Sequence, residues 1–338
     1  MSETQRKKVW LKRARWLILV AVVFVVGAEL VARLYLGLGD PPLSVADPEI
    51  EYLFKPSQDV RRFGNRVAFN AYSMRSDAFS RAKEDPSEFR LLVLGDSVIN
   101  GGGQTDQSDL ATQLLQDDLS DQLDRPVVVG NISAGSWGPA NLLAYVKREG
   151  AFDADMIVLV ISSHDAGDVP TFTPTVGVHP SFPDRKPILA LQEAVTRYLP
   201  RYLPFLRKGG GEHNTQPTGA TADDGAIPAL TELIQWVQAE DVPMVIVHHA
   251  EQAELTSAYQ AGYSEIAEVA DALGAELIEA GPTFQEAIEA GEAPYRDNIH
   301  PNAAGQRLLA EVIQQAVLQD LQAHEDAATA NAPDTPSE

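Results

Sequence analysis

Phe89-Arg90-Leu91-Leu92-Val93-Leu94-Gly95-Asp96-Ser97 (89–97) runs from a nearly unbroken apolar stretch straight into a polar tripeptide. The run FRLLVLG reads as a strand buried on both faces, and Gly95-Asp96-Ser97 as the junction between that strand and a helix. A serine at such a junction is exposed and lies beside helix N–H groups able to hold an anionic oxygen. Taken alone, the tripeptide also fits a turn in which Asp and Ser serve as caps.

Working outward, apolar runs alternate with helical periodicity. Strands are predicted at 126–131, 156–162, 243–249 and 275–280. Helices are predicted at 110–123, 141–150, 226–239, 256–273 and from Asn302 to Leu321. Short β-branched runs alternating with helices predict a parallel sheet covered on both faces, an α/β fold of three α/β/α layers with flavodoxin-like strand order 2-1-3-4-5. Ligands of such sheets bind beyond the carboxyl ends of the strands, so the loops that follow strands carry the candidates.

At the far end, Asp297-Asn298-Ile299-His300-Pro301-Asn302 precedes the last helix, with Pro301 suited to its first position. A serine hydroxyl becomes a nucleophile once an imidazole takes its proton, and that imidazole needs an orienting partner. Asp297 and His300, three apart on one loop, meet both needs. The alternative is a helix cap with an exposed histidine.

With these blocks in order, residues 88–318 resemble the SGNH (GDSL-type) hydrolase family. The resemblance implies Ser97 as nucleophile, His300 as general base and Asp297 as its orienting acid. It also implies an oxyanion hole from the Ser97 amide and a glycine after the next strand. Gly135, in Gly130-Asn131-Ile132-Ser133-Ala134-Gly135-Ser136-Trp137-Gly138, matches best, with Ser136 as rival. The third block departs from the pattern. Where the family has Asn before Asp, this chain has Ser162-Ser163-His164-Asp165, so His164 is expected to donate to the oxyanion in place of the amide.

Other readings are weaker. His164, Asp165 and Asp168 with His300 suit a divalent metal by ligand type, but nothing in their spacing fixes a geometry. His248-His249 end the fourth strand, where packing is the simpler role. Gly101-Gly102-Gly103 lacks the G-K-[ST] of a phosphate loop. Trp137 and Tyr145 fit either a substrate wall or the core. No metal and no cofactor is expected.

The chain has 338 residues, no cysteine and a formal charge of −22. Absent cysteines exclude a thiol nucleophile and Cys-ligated metals, and the acidity disfavours nucleic acid and polyanionic substrates. That charge is unevenly spread. Residues 1–15 carry six basic side chains against Glu3, a net of +5, which leaves −27 for the remainder. The span Trp16 to Leu38 is long and apolar enough to cross a hydrocarbon core of about 30 Å. Its two charges, Glu29 and Arg33, are four apart and able to pair.

The expected organisation is a cytoplasmic basic stub (1–15), a transmembrane anchor (16–38), and a linker and extension (39–88) with a hairpin at 67–76. A hydrolase domain (89–321) follows, with an insertion at 168–225 whose second half, GGGEHNTQPTGATADDG, reads as a mobile loop. An acidic, disordered tail (322–338) closes the chain. A cleaved signal peptide also fits the basic start, but no convincing A-x-A site follows the apolar run, so an uncleaved anchor with the domain outside the cytoplasm is expected. The expected activity is hydrolysis of an O-acyl ester, acetyl above all, on a glycan or small molecule. The alternatives are O-acyl transfer to an exported polysaccharide and noncatalytic glycan binding.

Overall fold

A computed structural model describes residues 3–199 and 225–330. The chain begins with a long helix, α1 (Glu3–Leu34). Two antiparallel ribbons follow, β1 (Ser44–Asp47) with β2 (Glu51–Phe54) and β3 (Gln58–Arg62) with β4 (Asn65–Phe69). The central sheet contains β5 (Phe89–Gly95), β6 (Val127–Ser133), β7 (Met156–Ile161), β8 (Met244–His248) and β9 (Glu276–Glu279). Its spatial order is β6-β5-β7-β8-β9 and every pairing is parallel. This is the flavodoxin-like order 2-1-3-4-5 expected from the sequence.

The strand period of two sorts β5 between both faces. Leu91 and Val93 enter one core with Leu115 and Leu119 of α3 (Ala111–Leu123). In sequence order come α4 (Pro139–Glu149), α5 (Ala190–Glu193), α6 (Ala226–Ala239), α7 (Ala261–Leu273), α8 (Gly281–Glu289) and α9 (Ala303–Ala330). Phe284 of α8 and Leu309 and Ile313 of α9 complete the first core. Leu92 and Leu94 enter the other, against Leu142 and Val146 of α4, Leu233 and Ile234 of α6 and Ile266 of α7. Because β5 is flanked by β6 on one side and β7 on the other, the chain changes direction at its carboxyl end, and a crevice opens there.

Four expectations change. The N-terminal helix starts at Glu3 and ends at Leu34, and Tyr35–Leu38 turn back instead of continuing it. Gly37 makes that turn at φ +65°, where a Cβ would lie 2.1 Å from the Arg61 carbonyl. Residues 39–88 are no linker, for Ile50, Tyr52 and Met74 are buried in the second core beside Leu92 and Leu94. Their hairpin spans 58–69, set by Phe63 and Gly64 at positive φ, and not 67–76. The last helix runs on to Ala330, nine residues past the expected end, since alanine and its neighbours in LQAHEDAATA favour helix when no proline intervenes. The run GGGEHNTQPTGATADDG, all but its final glycine, and the last eight residues lie outside the described residues.

Candidate active site

Every residue singled out near the site follows the carboxyl end of a sheet strand or lies on the loop before α9. β5 delivers Asp96 and Ser97. The single helical turn after it, α2 in chain order between β5 and α3 (Ser97–Asn100), is capped by Asp96, whose Oδ1 accepts from the Val98 amide at 2.8 Å. That cap leaves the Ser97 amide at the helix start without an intrahelical partner. Gln306 of α9 braces the turn, donating to the Val98 carbonyl at 2.7 Å while accepting from Ala111 N at 2.9 Å.

Ser97 Oγ lies 2.9 Å from His300 Nε2, and His300 Nδ1 lies 2.9 Å from both oxygens of Asp297. The Asp297–His300 loop is self-bracing, because Asp297 Oδ1 also accepts from the Ile299 and His300 amides at 3.0 and 2.8 Å. Partial burial works against the Asp297 charge, but those two amides and the His300 ring outweigh it and hold its carboxyl below the usual range. An ionised Asp297 fixes the proton on Nδ1, which leaves the Nε2 lone pair facing the Ser97 hydroxyl. The serine proton has a second acceptor at 3.3 Å, Asp96 Oδ2.

The loop after β6 carries Gly135, whose carbonyl accepts from the Tyr52 hydroxyl at 2.6 Å. Its amide has no acceptor among the described residues. Ser136, the rival, sits at φ 60°, a left-handed position within the same turn. Gly138 lets this loop meet the one after β7, since a Cβ there would lie 2.4 Å from the Asp168 carbonyl. Trp137 and Tyr145 are buried in the second core and line no site.

His164, on the loop after β7, turns both ring nitrogens toward carboxylates. Its Nε2 faces Asp165 Oδ1 at 3.5 Å, Asp96 Oδ2 at 3.6 Å and Asp168 Oδ2 at 3.9 Å, and its Nδ1 faces Glu251 Oε1 at 3.6 Å. Burial opposes its charge, but Asp165, Asp96 and Glu251 prevail and push its pKa up to about 12. His164 is therefore an imidazolium beside the residue that precedes Ser97. Burial in turn raises Asp165 well above the ordinary carboxyl range despite that neighbour. Asp96, His164 and Asp165 place ligand atoms within 4.8 Å of one another, a donor set of the type that suits a divalent cation. His300 stands apart from that group, bound to Ser97 and Asp297. A charged His164 already supplies the neutralising cation there.

Several supporting residues carry no sequence motif. His249 is fully buried, and its Nε2 donates to the Ile299 carbonyl at 2.9 Å, gripping the histidine loop from β8. Burial lowers its pKa, so the ring stays neutral. His248 packs beside it, with Nε2 3.0 Å from Ser163 Oγ, and burial pushes its pKa down to about 4. Fully buried Arg75 donates to the Thr105 carbonyl at 2.7 Å and also to the carbonyls of Asn100 and Gly102. Arg296 reaches the Gly101 carbonyl at 3.0 Å. The Gly101–Gly103 loop thus turns its carbonyls to two arginines. Tyr52, His249 and Arg75 act across 25 or more residues of sequence, beyond the reach of any local pattern.

A three-layer α/β sheet with a serine, a histidine and an aspartate meeting beyond β5 defines the class: a serine hydrolase acting on ester bonds. The chain belongs to the GDSL-like lipase/acylhydrolase family, whose model matches residues 93–308. Among solved structures it is similar to the acetyl xylan esterase AlAXEase, at 16% identity over 68% of this chain and 100% of that one, with TM-score 0.43. It is also similar to a mutant of Axe2, an acetylxylan esterase from Geobacillus stearothermophilus, at 15% identity over 69% and 95%, with TM-score 0.44. A third is a two-domain esterase active on acetylated mannans, at 15% identity over 74% of this chain and 53% of that one, with TM-score 0.46. No curated protein matches the sequence.

Proposed function

We propose that this chain is a membrane-anchored esterase, facing away from the cytoplasm, that removes short O-acyl groups, acetyl above all, from a glycan or small acylated molecule. The observation that carries the reading is the 2.9 Å approach of Ser97 Oγ to His300 Nε2 with Asp297 on the opposite ring nitrogen. Ser97 attacks the acyl carbonyl as His300 takes its proton. The oxyanion that forms is met by the amides of Ser97 and Gly135 and by the positive ring of His164, turned from its carboxylates. His300 then protonates the departing alcohol. Water, deprotonated by the same imidazole, attacks the acyl-enzyme and releases the acid and free Ser97.

Support for a short acyl group comes from the polar groups that meet Ser97 Oγ, Asp96 Oδ2 and His300 Nε2, with His164 beside Asp96. Support for anchoring comes from α1, a helix of 32 residues with mean hydropathy 2.5 over its apolar window and 6% of that window buried. The +5 stub before it favours the cytoplasmic side for the N-terminus.

The test is acid release from 4-nitrophenyl acetate and from a per-O-acetylated oligosaccharide by the full chain in detergent or bilayer discs. Ser97-dependent release from both supports the reading, and no release from either overturns it. Acetyl transfer to added sugar that outruns hydrolysis would assign O-acyl transfer instead.

A further inference from the structure

α1 is not joined to the domain by a loose tether. Its last turns are fastened to Ile188–Leu191, within the insertion. Glu29 accepts from the Ala190 and Leu191 amides at 2.8 and 2.9 Å, so a side chain of α1 caps the N-terminus of α5. Arg33 closes the same corner, donating to the Ile188 carbonyl at 2.6 Å and to Glu29 at 2.6 Å. Buried Glu193 of α5 accepts from the Gly39 amide at 2.7 Å and pairs with buried Arg62 of β3. Ala32, Leu38 and Ala190 pack together inside the joint. The end of α1 and the helical stretch Ala190–Tyr198 therefore move as one piece.

That piece turns apolar groups outward. Ile188 is 86% exposed and Tyr35 80%, with Leu34, Leu189 and Val195 also exposed. They continue the exposed apolar surface of α1 without a break in the chain at Leu34-Tyr35, and an exposed apolar set of this kind marks an interaction surface. With Arg62 included, five basic side chains face four acidic ones around it. Arg33, Arg185, Lys186 and Arg197 pair with Glu29, Asp184, Asp40 and Glu193 respectively. This corner thus bears none of the large negative charge of the exported part, and an anionic lipid surface is not repelled from it.

We propose that Ile188, Leu189 and Val195, locked to the end of α1, form a second bilayer contact, a foot that lies in the interfacial layer and fixes how the catalytic domain stands over the membrane. The foot sinks to a depth of about 5–10 Å, as interfacial segments do, and rests on the reading of α1 as a retained span. With both contacts fixed, the Ser97 crevice keeps one orientation toward the bilayer instead of swinging on a hinge.

The absence of cysteine makes the test direct, because any introduced thiol is the sole label site. Ile188→Cys, Val195→Cys, Val23→Cys and Ala290→Cys are each made in the full chain, checked for esterase activity, labelled with a polarity-sensitive fluorophore and placed in bilayers. Quenching by nitroxides fixed at shallow and deep acyl positions is then read. The foot predicts loss of signal at 188 and 195 from the shallow quencher above all, at 23 from the deep quencher, and at 290 from neither. Quenching at 23 with labels at 188 and 195 as unaffected as 290 overturns the foot and leaves the anchor. Labels at 188 and 195 shielded from lipid and water alike would assign that face to a second copy of the chain, which also overturns it. No quenching at 23 removes the anchor and the foot together.

Discussion

Ser97 and His300 meet because each is held by its own neighbours before it is held by the other. Asp96 caps the turn that presents Ser97, and Asp297 takes the Ile299 and His300 amides as well as the ring. Replacing Asp297 with Ala frees the imidazole to adopt the wrong tautomer, and kcat for 4-nitrophenyl acetate is expected to fall by about 10⁴-fold, with KM little moved. His164 separates two roles. Its loss to Ala is expected to cost about 2.7–4 kcal/mol of transition-state stabilisation in kcat/KM, whereas Asn, which restores an amide donor, recovers most of it. Equal kinetics for wild type and His164→Ala would confine this residue to charge balance.

The same residue leaves a pH signature in stability. Its folded pKa of about 12 lies above the ordinary histidine value, so its contribution is whole below about pH 6.5 and drains away as pH climbs toward the folded value. Between about pH 7 and pH 9, wild-type Tm is expected to fall more steeply than that of His164→Asn, read by thermal melts across that range. That Ser97, Asp297 and His300 come together was legible in the sequence because each motif is local: G-D-S closes a strand and D-x-x-H closes a loop. The posture of His164 was not, since it depends on Glu251, 87 residues away, and on Asp96, both of which meet it only in the fold.

At the scale of elements, the five sheet strands were readable to within about two residues, since all but the half-exposed edge strand β9 are largely buried on both faces and carry mostly apolar runs. β5 is buried at all seven positions. What escaped was the structure built by short, half-polar segments. The ribbons of residues 44–69 have strands of four or five residues, too short for a periodic signal, and α8 spans only nine. Yet the first ribbon reaches the site through Tyr52, whose hydroxyl holds the Gly135 carbonyl. Tyr52→Phe removes that bond and keeps the packing against Trp137 and Phe182. Expected is a loss in kcat of about one order of magnitude, matching one neutral hydrogen bond of about 0.5–1.5 kcal/mol, with Tm almost unchanged. A large drop in Tm with intact kcat would make Tyr52 a packing residue only.

For the molecule as a whole, the charge of −22 divides between a +5 stub and an acidic remainder, and the end of α1 away from the stub meets the domain in a built joint. Arg62 and Glu193, both buried, lie at its centre. Arg62→Met removes the nearer of the two arginines that face buried Glu193 and is expected to cost up to about 3–5 kcal/mol of stability, while the double variant with Glu193→Leu regains much of the loss. Denaturant melts of the full chain in detergent decide this. The sequence announced an apolar span and a long insertion but not their union, because the joint is made from single polar residues 131 or more positions apart. Beyond the joint lies the crevice at the carboxyl end of β5, and the central claim is that Ser97 in it is an activated nucleophile. A fluorophosphonate probe applied to the full chain, followed by mass mapping of the adduct, tests this most directly. The account predicts one adduct, on Ser97, lost in His300→Ala. An unmodified Ser97 in active-folded protein, or labelling that persists without His300, would contradict it.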